Sequence, residues 1–136
     1  EHDPRVTRLA GKADRVLVDA PCSGLGTLRR NPDLKYRQSP ESIAQLVRQQ
    51  HSILQAASAL VAPGGRLVYA TCSVLPEENE RQIEEFLHDN PQFSLLNAGE
   101  ILAAQKIALD TGKYLQLDSA AHQTDGFFAA VLQRVD

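Results

Sequence analysis

Apolar residues in this chain gather into short runs set off by breakers, with one longer stretch at helical spacing between them. Arg15-Val-Leu-Val-Asp19 is a β-branched apolar run between the Gly11-Lys12 turn signal and a loop rich in Pro and Gly, and it predicts a buried strand ending at Asp19. The loop after it holds Pro21, Gly24, Gly26, Pro32 and Pro40 and is long for a compact domain, which marks it as a segment with work to do. Ser39 can cap a helix with Pro40 at its first position, because the missing proline donor is harmless there. Ile43, Leu46, Val47, Ile53, Leu54, Ala57, Leu60 and Val61 then form a helical stripe, broken near Gln50 and stopped by Pro63-Gly64-Gly65.

Arg66 to Thr71 predicts a second strand. Pro76 with Glu77 and Glu78 predicts the start of another helix, whose early acids suit the positive end of its dipole and whose buried face is Ile83, Phe86 and Leu87. Asn90-Pro91 stops that helix, Phe93 to Leu96 is a short strand, and Gly126 to Leu132 is a final strand. Asn97 to Gln123 carries no clear pattern, and Lys106 and Lys113 read as solvated surface. Strand, crossover helix, strand, helix is the grammar of a parallel sheet with helices on its faces, and ligands sit beyond the carboxyl ends of its strands. Cys22 and Cys72 both follow such ends, so neighbouring strands would bring two thiols and Asp19 into one crevice.

With 136 residues, 43% of them hydrophobic, the chain can bury one core, and no apolar stretch approaches the roughly 18 residues of a membrane span. The expectation is a cytoplasmic protein without a membrane partner. A start at Glu1-His2-Asp3-Pro4 and the absence of Met suggest an excised segment. The net charge of −3 argues against an autonomous nucleic-acid binder, yet Thr27 to His51 holds five bases against two acids, while Glu77 to Glu100 holds seven acids against one Arg. The two cysteines form no CxxC pair and the four histidines show no metal-ligand spacing, so reduced thiols and no metal are expected. Taken singly, either Cys is more often a buried structural thiol, Asp19 a turn former, and Phe127 and Phe128 core residues.

Asp19-Ala-Pro-Cys-Ser-Gly-Leu-Gly26 together with Tyr69-Ala-Thr-Cys-Ser73 closely resembles the paired motifs of the RNA cytosine-5 methyltransferases of the Sun (NSUN) family, which includes bacterial ribosomal RNA enzymes. Arg29-Arg30-Asn31-Pro32-Asp33, Pro63-Gly64-Gly65, Val74-Leu-Pro-Glu-Glu-Asn79 and Thr124-Asp-Gly-Phe-Phe128 extend the resemblance over nearly the whole chain. It implies an α/β, Rossmann-like class I methyltransferase fold, mainly parallel with flanking helices and an antiparallel last strand. Residues 1–136 would be the carboxyl-terminal part of that domain, since no strand with a glycine-rich cofactor loop precedes Asp19.

The same resemblance implies S-adenosylmethionine as methyl donor and RNA as substrate, ribosomal first and transfer RNA as the alternative. Cys72 would add to carbon 6 of cytosine, Cys22 would assist release after methyl transfer, and Asp19 would contact the flipped base and border the cofactor. Arg29, Arg30, Lys35 and Arg37 would lie beside the RNA backbone, while a solvated loop is the bland alternative. Three other readings compete. A DNA cytosine-5 methyltransferase would use the Pro-Cys thiol as nucleophile and would not be expected to have the Thr-Cys-Ser site. A non-catalytic RNA-binding or protein-interaction module leaves both thiols unexplained. A thiol redox protein would want CxxC spacing. The segment alone is expected to lack methylation activity and, with its first strand unpaired on one side, to self-associate.

Overall fold

The computed structural model describes residues 3–136. Its elements are α1 (Pro4–Thr7), β1 (Ala13–Asp19), a 3₁₀ turn (Leu25–Thr27), α2 (Leu34–Arg37), α3 (Pro40–Ser58), β2 (Val61–Thr71), α4 (Glu80–Asp89), β3 (Phe93–Leu96), α5 (Ala98–Ala104), β4 (Leu115–Leu117), α6 (Ser119–His122) and β5 (Phe127–Arg134). The sheet order is β1-β2-β5-β3, with β4 also paired to β5. β1 and β2 are parallel, whereas β5 runs antiparallel to β2, β3 and β4. The sheet is thus mixed, with parallel pairing confined to β1 and β2 among the described residues and the antiparallel last strand as expected. β5 can serve three neighbours because β3 pairs with its end, Val131 to Arg134, and β4 with its start, Phe127 to Ala129.

Alternation along the strands decides which face is buried. Val18, Leu67, Tyr69, Phe128, Ala130 and Leu132 are buried and meet Leu54 from α3 and Ile83 and Phe86 from α4 in one cluster. Leu17 pairs with Val68, Val68 with Val131, and Val131 with Leu96, so these four residues form an apolar row across the opposite face. Leu17 is 70% exposed there. β1 is also an edge strand, and a groove of about 660 Å³ lined by Val16, Leu17, Ile53 and Ala57 runs beside it.

Ser39 caps α3 as expected, accepting from the Ser42 amide while the Ser42 hydroxyl accepts from the Ser39 amide. The helix stops at Ser58, earlier than its apolar stripe suggests, because Val61 has already joined β2 opposite Ala13. The register then jumps to Arg15 opposite Arg66, and Pro63-Gly64-Gly65 bulges out with Gly64 at φ 76°. α4 likewise starts at Glu80 and not at Pro76, since residues 76–79 form a turn that carries Glu78 into the interior. The segment without a clear sequence pattern contains α5, β4 and α6, each too short to show a period.

The turn before β5 packs against the loop after β1. The Gly126 amide donates to the Gly26 carbonyl at 2.6 Å, and the Gly26 amide donates to the Cys72 carbonyl at 2.8 Å. A Cβ on Gly26 would lie 2.4 Å from the Gly126 oxygen and 2.5 Å from the Cys72 oxygen, both backbone atoms. Gly26→Ala is therefore expected to lower stability by about 1–3 kcal/mol or more. Gly112→Ala, which would meet nothing within 4 Å, should stay within about 0.5 kcal/mol of the parent. Urea midpoints at constant slope check both.

Candidate active site

Parallel pairing of Asp19 with Ala70 puts the ends of β1 and β2 side by side. The two following loops continue in step, tied by the Ala20 amide donating to the Ala70 carbonyl at 2.9 Å and by the Gly26–Cys72 bond. As a result Cys22 and Cys72, 50 positions apart in sequence, bring their sulfurs to 3.3 Å. Both are free, half-buried thiols. The next residues repeat the pattern, with the Ser23 and Ser73 hydroxyl oxygens also 3.3 Å apart.

A single carboxylate holds those serines. Glu78 is fully buried. Its Oε1 accepts from the Ser23 amide at 2.8 Å and from Gln50 Nε2 at 3.0 Å. Its Oε2 accepts from the Ser23 hydroxyl at 2.7 Å and from the Ser73 hydroxyl. The backbone oxygen of Glu78 accepts from the Tyr69 hydroxyl at 2.6 Å. Around this centre, Gln50 Nε2 also donates to the Pro21 carbonyl at 2.9 Å, and Gln82 Nε2 donates to the Val47 carbonyl at 2.6 Å. Thr71 donates to the Asn79 side-chain oxygen at 2.6 Å, and the Asn79 amide group donates to the Ser73 carbonyl at 2.9 Å.

Burial, and after it the hydrogen bond with Cys72, pushes the Cys22 thiol up to about 12. Cys22 is thus held as a protonated thiol facing the Cys72 sulfur. Burial beside Glu78 also raises the Tyr69 phenol, which stays neutral as a donor. Asp19, the other residue singled out from sequence, is exposed at the end of β1.

The basic segment is organised by one acid remote in sequence, Asp125, and one within it, Asp33. Arg30 pairs with Asp125, Nε to Oδ2 at 2.7 Å, and Arg29 donates to the Gln123 carbonyl at 2.9 Å with its Nε 3.9 Å from Asp125 Oδ1. Arg37 pairs with Asp33 one helical turn away at 2.5 Å. Lys35 instead lies 4.9 Å from the ring centre of Tyr36, which is 81% exposed. The four bases read from sequence therefore share one segment but not one role, Arg29 and Arg30 preceding α2 and Lys35 and Arg37 lying on it, and Asp125, given no chemical role from sequence, is the anchor for two of them. Beside this loop an apolar groove of about 850 Å³ runs between Leu25, Leu28, Ile43 and Val47, rimmed by Lys35 and Arg48.

Ser23, Ser73, Gln50, Glu78 and Asn79 were not read as site residues from sequence. The break in the apolar stripe at Gln50 was the one available signal, since a polar residue on a buried helix face demands a partner. The opening Glu77-Glu78 pair pointed to a helix dipole and hid the buried carboxylate. No metal-ligand spacing is visible along the chain, but α3 and α4 bring one ligand atom each of His51, Glu85 and Asp89 within 4.8 Å of one another. Asp89 also pairs with His88 at 3.1 Å. Among the described residues no helix is long and apolar enough to cross a membrane.

The sequence and fold of this chain resemble those of known proteins. The chain is 45% identical over 121 residues to the probable ribosomal RNA small subunit methyltransferase B of Synechocystis, covering 89% of this chain and 27% of that protein. It is 41% identical over 133 residues to the putative methyltransferase Rv1407 of Mycobacterium tuberculosis, covering 98% of this chain and 29% of that protein. The chain thus spans under a third of the length of these relatives. Among solved structures it superposes on PH0851 with a TM-score of 0.80 at 38% identity, covering 90% of this chain and 27% of that one. It superposes on NSun6 from Pyrococcus horikoshii, solved with SFG, with a TM-score of 0.78 at 30% identity, covering 97% of this chain and 33% of that one. The family model for the 16S rRNA methyltransferases RsmB/F matches residues 2–133, and the chain belongs to that family.

Proposed function

We propose that this chain is the thiol-bearing, carboxyl-terminal part of a methyltransferase domain that transfers a methyl group from S-adenosylmethionine to carbon 5 of a cytosine in RNA. The observation that carries the proposal is the 3.3 Å contact between Cys22 and Cys72 at the ends of two adjacent parallel strands. Ribosomal RNA is the favoured substrate, supported by the names of the bacterial relatives, and a cytoplasmic location accords with it. The donor is supported by the archaeal neighbour solved with SFG, an S-adenosylmethionine analogue.

Carbon 5 of cytosine is a weak nucleophile, and the residues here address that. The Cys72 thiolate adds to carbon 6, forming a carbon–sulfur bond and moving the ring electrons toward carbon 5, which then takes the methyl group. S-adenosylmethionine supplies that group as an electrophilic methyl sulfonium. Water in the crevice takes the carbon 5 proton, the electron pair left behind forms the carbon 5–carbon 6 double bond, the carbon–sulfur bond breaks, and the Cys72 sulfur leaves. Cys22, protonated and adjacent, is placed to return a proton to the departing sulfur. Asp19, exposed at the strand end, fits the base edge on one side and one wall of the donor site on the other, where ligands of parallel sheets sit. The protonated state of Cys22 favours Cys72 as attacker, the reverse of the DNA-enzyme order.

In the protein that carries this chain, Cys72→Ala should lower methyl transfer by at least ~10³-fold and abolish covalent RNA adducts, whereas Cys22→Ala should let adducts accumulate on denaturing gels. Loss of attack in Cys22→Ala alone would reverse the assignment. Lys35→Ala should weaken RNA binding alike for all sequences and reduce the salt slope by about one, read from binding isotherms over a salt series. The isolated 136 residues are expected to show no methyl transfer and to self-associate through the open β1 edge and the Leu17 face, and a monodisperse monomer in sedimentation at high concentration would count against the latter.

A further inference from the structure

We propose that Glu78 is a positioning residue for the thiol pair: its carboxylate clamps Ser23 to Ser73 and thereby sets the separation of Cys22 from Cys72. Each serine directly follows one of the cysteines, so a tether on the serines is a tether on the sulfurs one residue away. The thiols belong to two loops joined near them by few backbone bonds, and neither thiol is bonded covalently to the other. Besides the Gly26 amide on the Cys72 carbonyl, what spans the loops at the level of the cysteines is the Glu78 side chain, the one link that acts on both serines.

Donor and acceptor counting makes the clamp directional. The Ser23 hydroxyl gives its single proton to Glu78 Oε2 and accepts from the Leu25 amide at 3.3 Å. The Ser73 hydroxyl gives its single proton to the same oxygen and accepts from the Leu75 amide at 3.0 Å. Both protons are thus committed to the carboxylate, and the 3.3 Å approach of the two hydroxyl oxygens is a consequence of sharing it. A carboxylate offers acceptors only, so it can receive from both hydroxyls, from the Ser23 amide and from Gln50 at once. A carboxamide of the same shape would turn two donors toward the hydroxyls and lose this convergence. The Tyr69 hydroxyl on the Glu78 backbone oxygen and the α3 residue Gln50 on the side chain fix the clamp to the core, so it cannot follow a drifting loop.

The catalytic consequence rests on the assignment of Cys72 and Cys22 made above, but the spacing itself does not, and the test separates them. In the full protein, without RNA or methyl donor, the thiols are equilibrated with reduced and oxidised glutathione. One oxidised glutathione takes the two thiol hydrogens and two electrons, leaving a Cys22–Cys72 disulfide and two reduced glutathiones. The equilibrium constant gives the effective concentration of one thiol at the other, because the sulfurs must close from 3.3 Å to about 2.0 Å. Glu78→Gln is expected to lower that effective concentration about tenfold or more, and to lower kcat for methyl transfer with KM for RNA unchanged. Ser73→Ala, which removes one arm of the clamp and leaves the carboxylate, should shift it in the same direction and serves if Glu78→Gln does not fold. An effective concentration unchanged in the folded variants overturns the proposal whatever happens to methylation. A lowered one with unchanged methyl transfer upholds the positioning and overturns the thiol mechanism instead.

Discussion

A buried carboxylate governs the architecture around the thiols. An isolated ionised carboxylate inside a protein costs several kcal/mol, and removing one partner from a buried, hydrogen-bonded charge costs about as much again. Glu78 is tolerated with no exposed surface because four donors from three separate segments converge on it: Ser23 after β1, Gln50 in the middle of α3, and Ser73 after β2. Satisfying that group and folding the site are therefore the same event. The loop after β1, the long helix and the loop after β2 must all arrive before the charge is paired, which gives a polar core the all-or-none character usually credited to apolar packing.

The sheet supplies the frame on which that convergence depends. Parallel pairing of β1 and β2 aligns their carboxyl ends, and the crossover through α3 lays Gln50 over the loops while Leu54 one turn later enters the apolar cluster. β5 then inserts antiparallel beside β2, and the turn before it meets Gly26 backbone to backbone. This contact also delivers Asp125 to Arg30, so the basic loop is anchored at the rim of the crevice through the last strand of the sheet. Asp19, Cys22 and the basic segment thus all follow β1, while Cys72 follows β2 and Asp125 precedes β5, so three strands of one sheet meet at this end. The exposed Leu17, the half-buried Val68, Val131 and Leu96 beside it and the open edge of β1 give the other side of that sheet an apolar surface of the kind that packs against further structure.

Much of this was legible beforehand. The strands of residues 15–19, 66–71, 93–96 and 126–132 and the long helix after Ser39 all appear, because unbroken apolar runs and a capped 3.6-residue stripe are local properties. Boundaries moved where a tertiary pairing outweighed local pattern, as at Val61, whose place opposite Ala13 takes it from the helix into β2. Helix α4 begins later than its acids suggest for a similar reason, since Glu78 is drawn inward by donors 28 and 55 positions away. Of the candidate basic residues, Arg29 and Arg30 lie in the loop read from sequence while Lys35 and Arg37 sit on the short helix α2, and the partner of Arg30 was invisible because Asp125 lies 95 positions away.

By itself, the sequence determined the kinds of element, the two Pro-Cys and Thr-Cys-Ser signatures and the family they belong to, because these depend on side-chain identity over a few neighbouring positions. Tertiary structure alone decided that the sulfurs lie 3.3 Å apart, that burial and the neighbouring thiol push the Cys22 thiol up, and that Glu78 is a buried carboxylate and not a helix-opening acid. Distance, desolvation and hydrogen-bond satisfaction are properties of groups brought together across the fold, and no local pattern encodes them.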